Sequence, residues 1–296
     1  MDRKSRIAPT NLRLRALTVA AIGALAAYAM YYFFVTTAAG QRVDEIAYDG
    51  SALGRTRLWR FADPILDVVS IGFVVLVLVI AATVAIWRQR WLLIVQVAIV
   101  MGGANIATQL FKHFVSRPEL GVFGTAGASP GVNTLPSGHT TVAATAAIAV
   151  LFISPPRVRP FAALVGTVYA AGTGVSTLIG GWHRASDVVA AMFVALAFAG
   201  VALLLDRPRR PVASGERAVV IVLAIVGVLT AIVSIWALLY IWRYVGIDPA
   251  YDLVANRAEL SRGTLLTAYA GGALACVSVA CAIVAAVVAQ LQRRGD

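Results

Sequence analysis

The chain has 296 residues, of which 60% are hydrophobic and only 13% are charged. A soluble domain carries about a quarter charged residues, so this composition excludes an ordinary soluble globular enzyme and makes lipid the main solvent. The surplus of 11 positive charges would point to nucleic acid in a soluble protein, but here no nucleic-acid partner is expected, because membrane topology accounts for it.

Taken in chain order, apolar runs predict membrane helices at about 15–37, 65–87, 91–112, 139–154, 161–180, 186–205, 218–242 and 264–290. Most approach the roughly 20 residues needed to cross a hydrocarbon core of about 30 Å. The first run is longer than the core of a signal peptide and is read as a retained helix. Asp63-Pro64 precedes the second helix, Ser154-Pro155-Pro156 ends the fourth, and Arg207-Pro208-Arg209-Arg210-Pro211 separates the sixth from the seventh. Residues 38–63 and 243–263 are expected as the longest loops, with a short surface helix at 250–262. In the fifth helix Gly172, Ser176 and Gly180 repeat at four-residue spacing, as in close helix packing. Cys276 and Cys281 are five apart on the last helix, which suits apolar packing and neither a disulfide nor a metal site.

Alternating the eight helices puts Arg13, Arg15, Arg88, Arg90, Arg157, Arg159 and the arginines of 207–217 and 293–294 on one face. That face carries the whole net charge of +11, and the other balances to zero. Basic loops stay cytoplasmic, so both termini are expected inside a cell membrane. The fold class is all-α: a polytopic membrane helix bundle forming one membrane domain over 1–296, with a six-helix core at 15–205 and two additional transmembrane helices at 218–290.

The three histidines, His113, His139 and His183, all fall at outer helix ends, among polar groups that a membrane protein does not place cheaply. Asn105, Gln109 and Lys112 share one face of the third helix, followed by Ser116-Arg117-Pro118-Glu119. Leu135-Pro136-Ser137-Gly138-His139 opens the fourth helix. There Ser137 caps, Gly138 leaves the backbone bare, and free amides with the helix dipole favour an anion. Trp182-His183-Arg184-Ala185-Ser186-Asp187 opens the sixth. With His183 and Asp187 four apart, the carboxylate can hold one ring nitrogen and raise the basicity of the other. The loop 119–135, with Gly121, Gly124, Gly127 and Gly131, reads as a connector able to move over such a site.

Together these clusters resemble the type 2 phosphatidic acid phosphatase superfamily. Pro136-Ser137-Gly138-His139 matches its central motif, His183-x-x-x-Asp187 its last, and Lys112 its first. Glu119 stands where the family usually has the Arg-Pro after that lysine, with Arg117-Pro118 two residues early, and Thr177 stands where an Arg usually precedes the last His. The resemblance implies catalysis by His183 as nucleophile, Asp187 as its orienting carboxylate and His139 as proton donor. Lys112, Arg117, Ser137, Gly138 and Arg184 would bind the phosphoryl oxygens, with no metal and no cofactor. The implied six-helix phosphatase core would act at the outer face on a lipid phosphate among the membrane lipids: a polyprenyl diphosphate, a polyprenyl-phosphoryl sugar phosphate, phosphatidylglycerol phosphate or phosphatidic acid. Alternatives are a lipid phosphotransferase using the same phosphohistidine and a non-catalytic lipid-binding or translocating relative. The last two helices read as packing, with a homo-oligomer contact or a lipid access path as the other roles they allow.

Overall fold

The computed structural model describes residues 8–68, 71–122, 132–205 and 214–292. Every element among them is helical. Six helices are long and apolar enough to cross a membrane, within 11–36, 92–114, 159–179, 185–203, 215–245 and 262–291, and 75–87 and 138–153 are shorter apolar helices. Each of these eight overlaps one of the eight expected segments.

Helix α1 (Ala8–Thr36) runs to the end of the bundle where the site lies, and α2 (Ala38–Ala52) and α3 (Arg55–Val68) follow. The region 38–63 is therefore two helices and not the loop expected from its polarity. Thr37 caps α2 by accepting from the Gly40 amide at 3.0 Å, which satisfies one of the free donors of a helix start. The expected helix 65–87 falls on the end of α3 and on α4 (Ile71–Trp87), with residues 69–70 outside the described ones. The third crossing comprises α5 (Leu92–Val97), a π-helical turn over Ala98–Gly103, and α6 (Ala104–Phe114). Then come α7 (Gly138–Ile153), α8 (Arg159–Ile179), α9 (Ala185–Leu203) and α10 (Ser214–Val245). A short α11 (Leu253–Asn256), a 3-10 turn over Arg257–Glu259 and α12 (Arg262–Gln292) complete the chain. The short helix expected within 250–262 is thus present.

Helices α7 and α9 sit at the centre. Small residues dominate their buried faces, Ala143, Ala144, Ala146 and Ala147 on α7 and Ala190, Ala191, Ala195 and Ala199 on α9. Without a hydrophobic drive between helices in lipid, small residues that let backbones approach hold such bundles together. The seam of α1 with α9 shows this most closely. A Cβ on Gly23 would stand 2.4 Å from the Ala197 nitrogen, and one on Gly200 2.3 Å from the Ala20 nitrogen, so only glycine fits. Just after α8, Gly180 packs under Trp59 of α3, and within α8 Gly174 and Gly166 make the close approaches to α9 and α7.

Helices α10 and α12 pack on the same bundle rather than beside it. Cys276, Ala280, Cys281 and Val284 of α12 belong to the core that contains Val188 and Met192 of α9. At the end remote from the histidines, Arg159 of α8 pairs with Glu216 of α10, both fully buried. Arg159 also donates to the Ser154 carbonyl at 3.0 Å.

Candidate functional site

Three helix ends meet at one end of the bundle. Leu135, buried with Val35 of α1 and Ala190 of α9 and flanked by Phe111 of α6, anchors the segment that leads into α7. The Asn133 side chain accepts from the Leu135 amide at 3.1 Å. Ser137 then caps α7, its hydroxyl accepting from the Thr140 amide at 3.3 Å. Its own amide donates to the Asp187 carbonyl at 2.9 Å, which joins the start of α7 to the start of α9. The lysine-bearing helix is stitched to α7 by a Thr108–Thr141 hydroxyl contact of 3.2 Å and by Asn105 donating to Thr145 at 3.4 Å.

His183 lies in the turn before α9. Its Nδ1 stands 3.2 Å from Asp187 Oδ2, and the same oxygen accepts from the Arg184 amide at 3.0 Å. Asp187 is fully buried, so its carboxylate fixes the ring and leaves Nε2 as the nitrogen available for chemistry. His139, exposed in the first turn of α7, packs its ring against Trp182 with centroids 5.3 Å apart. Trp182 precedes His183, so the two imidazoles belong to one neighbourhood. His183 and Lys112 both act electrostatically on His139, and Asp187 acts on Lys112. Asn105, Gln109, Lys112 and His113 line an open groove of about 680 Å³. His113 is exposed and stacks edge-on against Phe114.

Gly138 is not required by packing. A Cβ there would meet nothing nearer than Gln109 Nε2 at 3.5 Å, so its bareness serves the open side of α7. Arg117 is buried at 3% exposure, and the charges of Asp187 and Asp44 act on it. Glu119 is exposed, and Thr177 is fully buried, its hydroxyl donating to the Gly174 carbonyl at 2.7 Å. Gly124, Gly127 and Gly131 lie outside the described residues.

Arg184 is held by residues of α2. Its Nε and Nη2 donate to Glu45 Oε2 at 3.0 and 2.7 Å, and its guanidinium lies over the Tyr48 ring at 5.2 Å. Arg257 donates to Glu45 Oε1 at 3.1 Å and to Asp49 Oδ2 at 2.7 Å. Burial disfavours the Arg184 cation, but Glu45, Asp187 and Asp44 outweigh it and push its pKa up. Asp44 is buried as well. Its carboxylate accepts from the Ser186 hydroxyl at 2.5 Å and the Ser186 amide at 3.3 Å. Burial, with Asp187 nearby, pushes Asp44 up to about 6 against the pull of Arg117 and Arg184.

These α2 acids are the residues that reading the sequence for apolar runs missed. Their signal was present: Gln41, Glu45 and Asp49 recur every four residues, as do Asp44 and Tyr48, a helical spacing of polar groups inside a supposed loop.

Residues 91–211 match the family model described as the PAP2 superfamily. No curated protein sequence matches the chain. Among solved structures, a transmembrane PAP2-type phosphatidylglycerolphosphate phosphatase from Bacillus subtilis is similar, with a TM-score of 0.47 and 21% identity, over 66% of this chain and 94% of that one.

Proposed function

We propose, from the premise that this chain belongs through residues 91–211 to the PAP2 superfamily, that it is an integral membrane phosphatase acting on a lipid-linked phosphate through a phosphohistidine. The observation that carries this reading is the His183–Asp187 pair, with Asp187 Oδ2 held on Nδ1 at 3.2 Å at the start of a buried helix. His183 Nε2 attacks phosphorus, and the bond to the leaving oxygen breaks as His139 gives that oxygen a proton. His139 then takes a proton from water. The hydroxide attacks phosphorus, the P–N bond breaks, and phosphate leaves with His183 restored.

Lys112, Arg117, the Ser137 hydroxyl and the Gly138 amide are assigned to the non-bridging oxygens, where positioning and charge stabilisation supply most of the rate. Arg184 was a further candidate. Its two bonds to Glu45 favour a different role, holding the turn that presents His183. The clustering of the groups at helix ends supports a substrate whose phosphate lies at the membrane surface and whose chain lies in lipid. The asymmetry of basic residues supports an outward site with both termini cytoplasmic.

The deciding experiment is phosphate release by the purified protein from polyprenyl diphosphate, phosphatidylglycerol phosphate and phosphatidic acid, with His183→Ala alongside. Release by wild type, its loss in the variant and a phosphoenzyme trapped at His183 are the expected results. Equal rates in the two proteins overturn the mechanism. Buried Thr177 and the engaged Arg184 leave fewer guanidinium groups for the phosphate than the family pattern has, which favours an altered pocket. Recovery of a phosphorylated lipid or sugar in place of free phosphate would identify transfer to another hydroxyl.

A further inference from the structure

A second cavity shares no lining residue with the polar groove. It holds about 420 Å³, within the range of ligand pockets, between α1, α2, α9, α10 and α12. Its walls are hydrocarbon along almost their whole length: Phe34, Val189 and Phe193 face Ala231, Leu238 and Ala275. Asp44 and Ser186 meet at one end, and Ser234 and Ser278 are the other polar residues of the lining. Along α12 the lining runs from Ala268 to Val279 and along α10 from Ala231 to Ile241, about 16 Å at 1.5 Å per residue. That is roughly half of a hydrocarbon core of about 30 Å, the depth of one leaflet.

The polar end touches the candidate catalytic turn. A much smaller space beside His183 and Arg184 shares Ala47, Ala185 and Gly272 with the large one. Gly272 allows the close approach of α12 to the start of α9, since a Cβ there would stand 2.8 Å from the Ala185 side chain. A cavity of these dimensions, apolar over one leaflet and ending at the turn that carries His183, has the form of a seat for one hydrocarbon chain.

We infer that the crevice between α10, α12 and the start of α9 binds a hydrocarbon chain of the lipid phosphate substrate, so that the two helices beyond residues 91–211 select substrates by chain length. This rests on the phosphatase reading. The chain in the crevice is assigned to the substrate and not to a bulk phospholipid, because Ala47, Ala185 and Gly272 line both the crevice and the space beside His183. Chain recognition of this kind is binding energy remote from the reacting bond.

The test uses the full-length protein in detergent with phosphatidic acids of increasing chain length, and p-nitrophenyl phosphate as a chainless control. Ala231→Phe and Ala275→Phe fill the crevice from opposite helices. Both are expected to raise KM for the long-chain substrate at least ~10-fold, a loss of about 1.4 kcal/mol of binding, while p-nitrophenyl phosphate hydrolysis stays as in wild type. A long-chain lipid phosphate with a photoreactive group at its chain end should label α10 or α12 peptides. Excess unlabelled lipid phosphate should compete, and the dephosphorylated lipid should not. An unchanged chain-length profile in both variants overturns the inference, and so does labelling that phosphatidylcholine displaces equally well. Absence of phosphate release from every substrate would defeat the phosphatase reading alone. The labelling would then still decide whether the crevice holds a lipid phosphate chain.

Discussion

Glu45 grips Arg184 across 139 residues of sequence, one carboxylate oxygen accepting from both Nε and Nη2. Both side chains are 5% exposed. Removing one member of such a pair leaves an uncompensated buried charge, at a cost of roughly 3–5 kcal/mol. Glu45→Gln should therefore lower the thermal unfolding temperature markedly and weaken Arg257 as well. The double variant Glu45→Gln/Arg184→Gln should lose less than the sum of the two single changes. Additive losses would show that the pair does not act as a unit.

Asp44 gives stability a pH dependence of known sign. Its folded pKa of about 6 stands above its ordinary 3.8, chiefly through burial. Between those values the folded state binds more protons than the unfolded state. The contribution is therefore complete below 3.8 and lost as pH rises through 6, up to about 3 kcal/mol in all. Asp187, Arg117 and Arg184 face Asp44 and shape this titration. The gap in unfolding temperature between Asp44→Asn and wild type should widen in the variant's favour from pH 4 to pH 7. A gap independent of pH would remove Asp44 as its source.

Asp187→Asn keeps an acceptor for the Arg184 amide and loses the negative charge beside His183. Phosphate release should fall about 10²-fold, within the range of general acid–base contributions, and His183→Ala should fall further. A variant as inactive as His183→Ala would mean that the carboxylate does more than orient the ring.

Gly138→Ala separates architecture from chemistry. The nearest neighbour of the new methyl would be Gln109 Nε2 at 3.5 Å, an ordinary contact, and alanine favours a helix by up to about 1 kcal/mol over glycine. Unfolding temperature should hold or rise while kcat/KM falls, about 10-fold or more if a phosphoryl oxygen approaches that backbone. Undiminished activity would place the substrate elsewhere.

What the sequence made legible followed from two kinds of signal. Long apolar runs located the crossing helices, because lipid demands uninterrupted hydrogen-bonded helices of fixed length. Motif spacing located the three polar clusters, and the Ser137–Asp187 bond and the packing of His139 on Trp182 bring two of them together. Helices α2 and α3 were missed because their interior is polar. Asp44 and Glu45 are buried and Asp49 half-buried on arginines and a serine that lie 139 to 212 positions away in the chain, and no local pattern shows such partners. The Glu45 partner of Arg184 was hidden for the same reason. Adjacency to His183 suggested the phosphate, and the acid that engages it lies in a segment taken for a loop. The π-helical turn at Ala98–Gly103 has no signal in hydrophobic periodicity.

The single bond from the Ser137 amide to the Asp187 carbonyl sets how the two imidazoles respond to a fluctuating bilayer. Peripheral helices such as α4 and α10 must tilt whenever the surrounding membrane thins or thickens. The tips of α7 and α9 are tied to each other by that bond, so they shift together. His139 and His183 then keep their separation while the wall around them breathes, and lipid composition should alter access to the two rings before it alters their spacing.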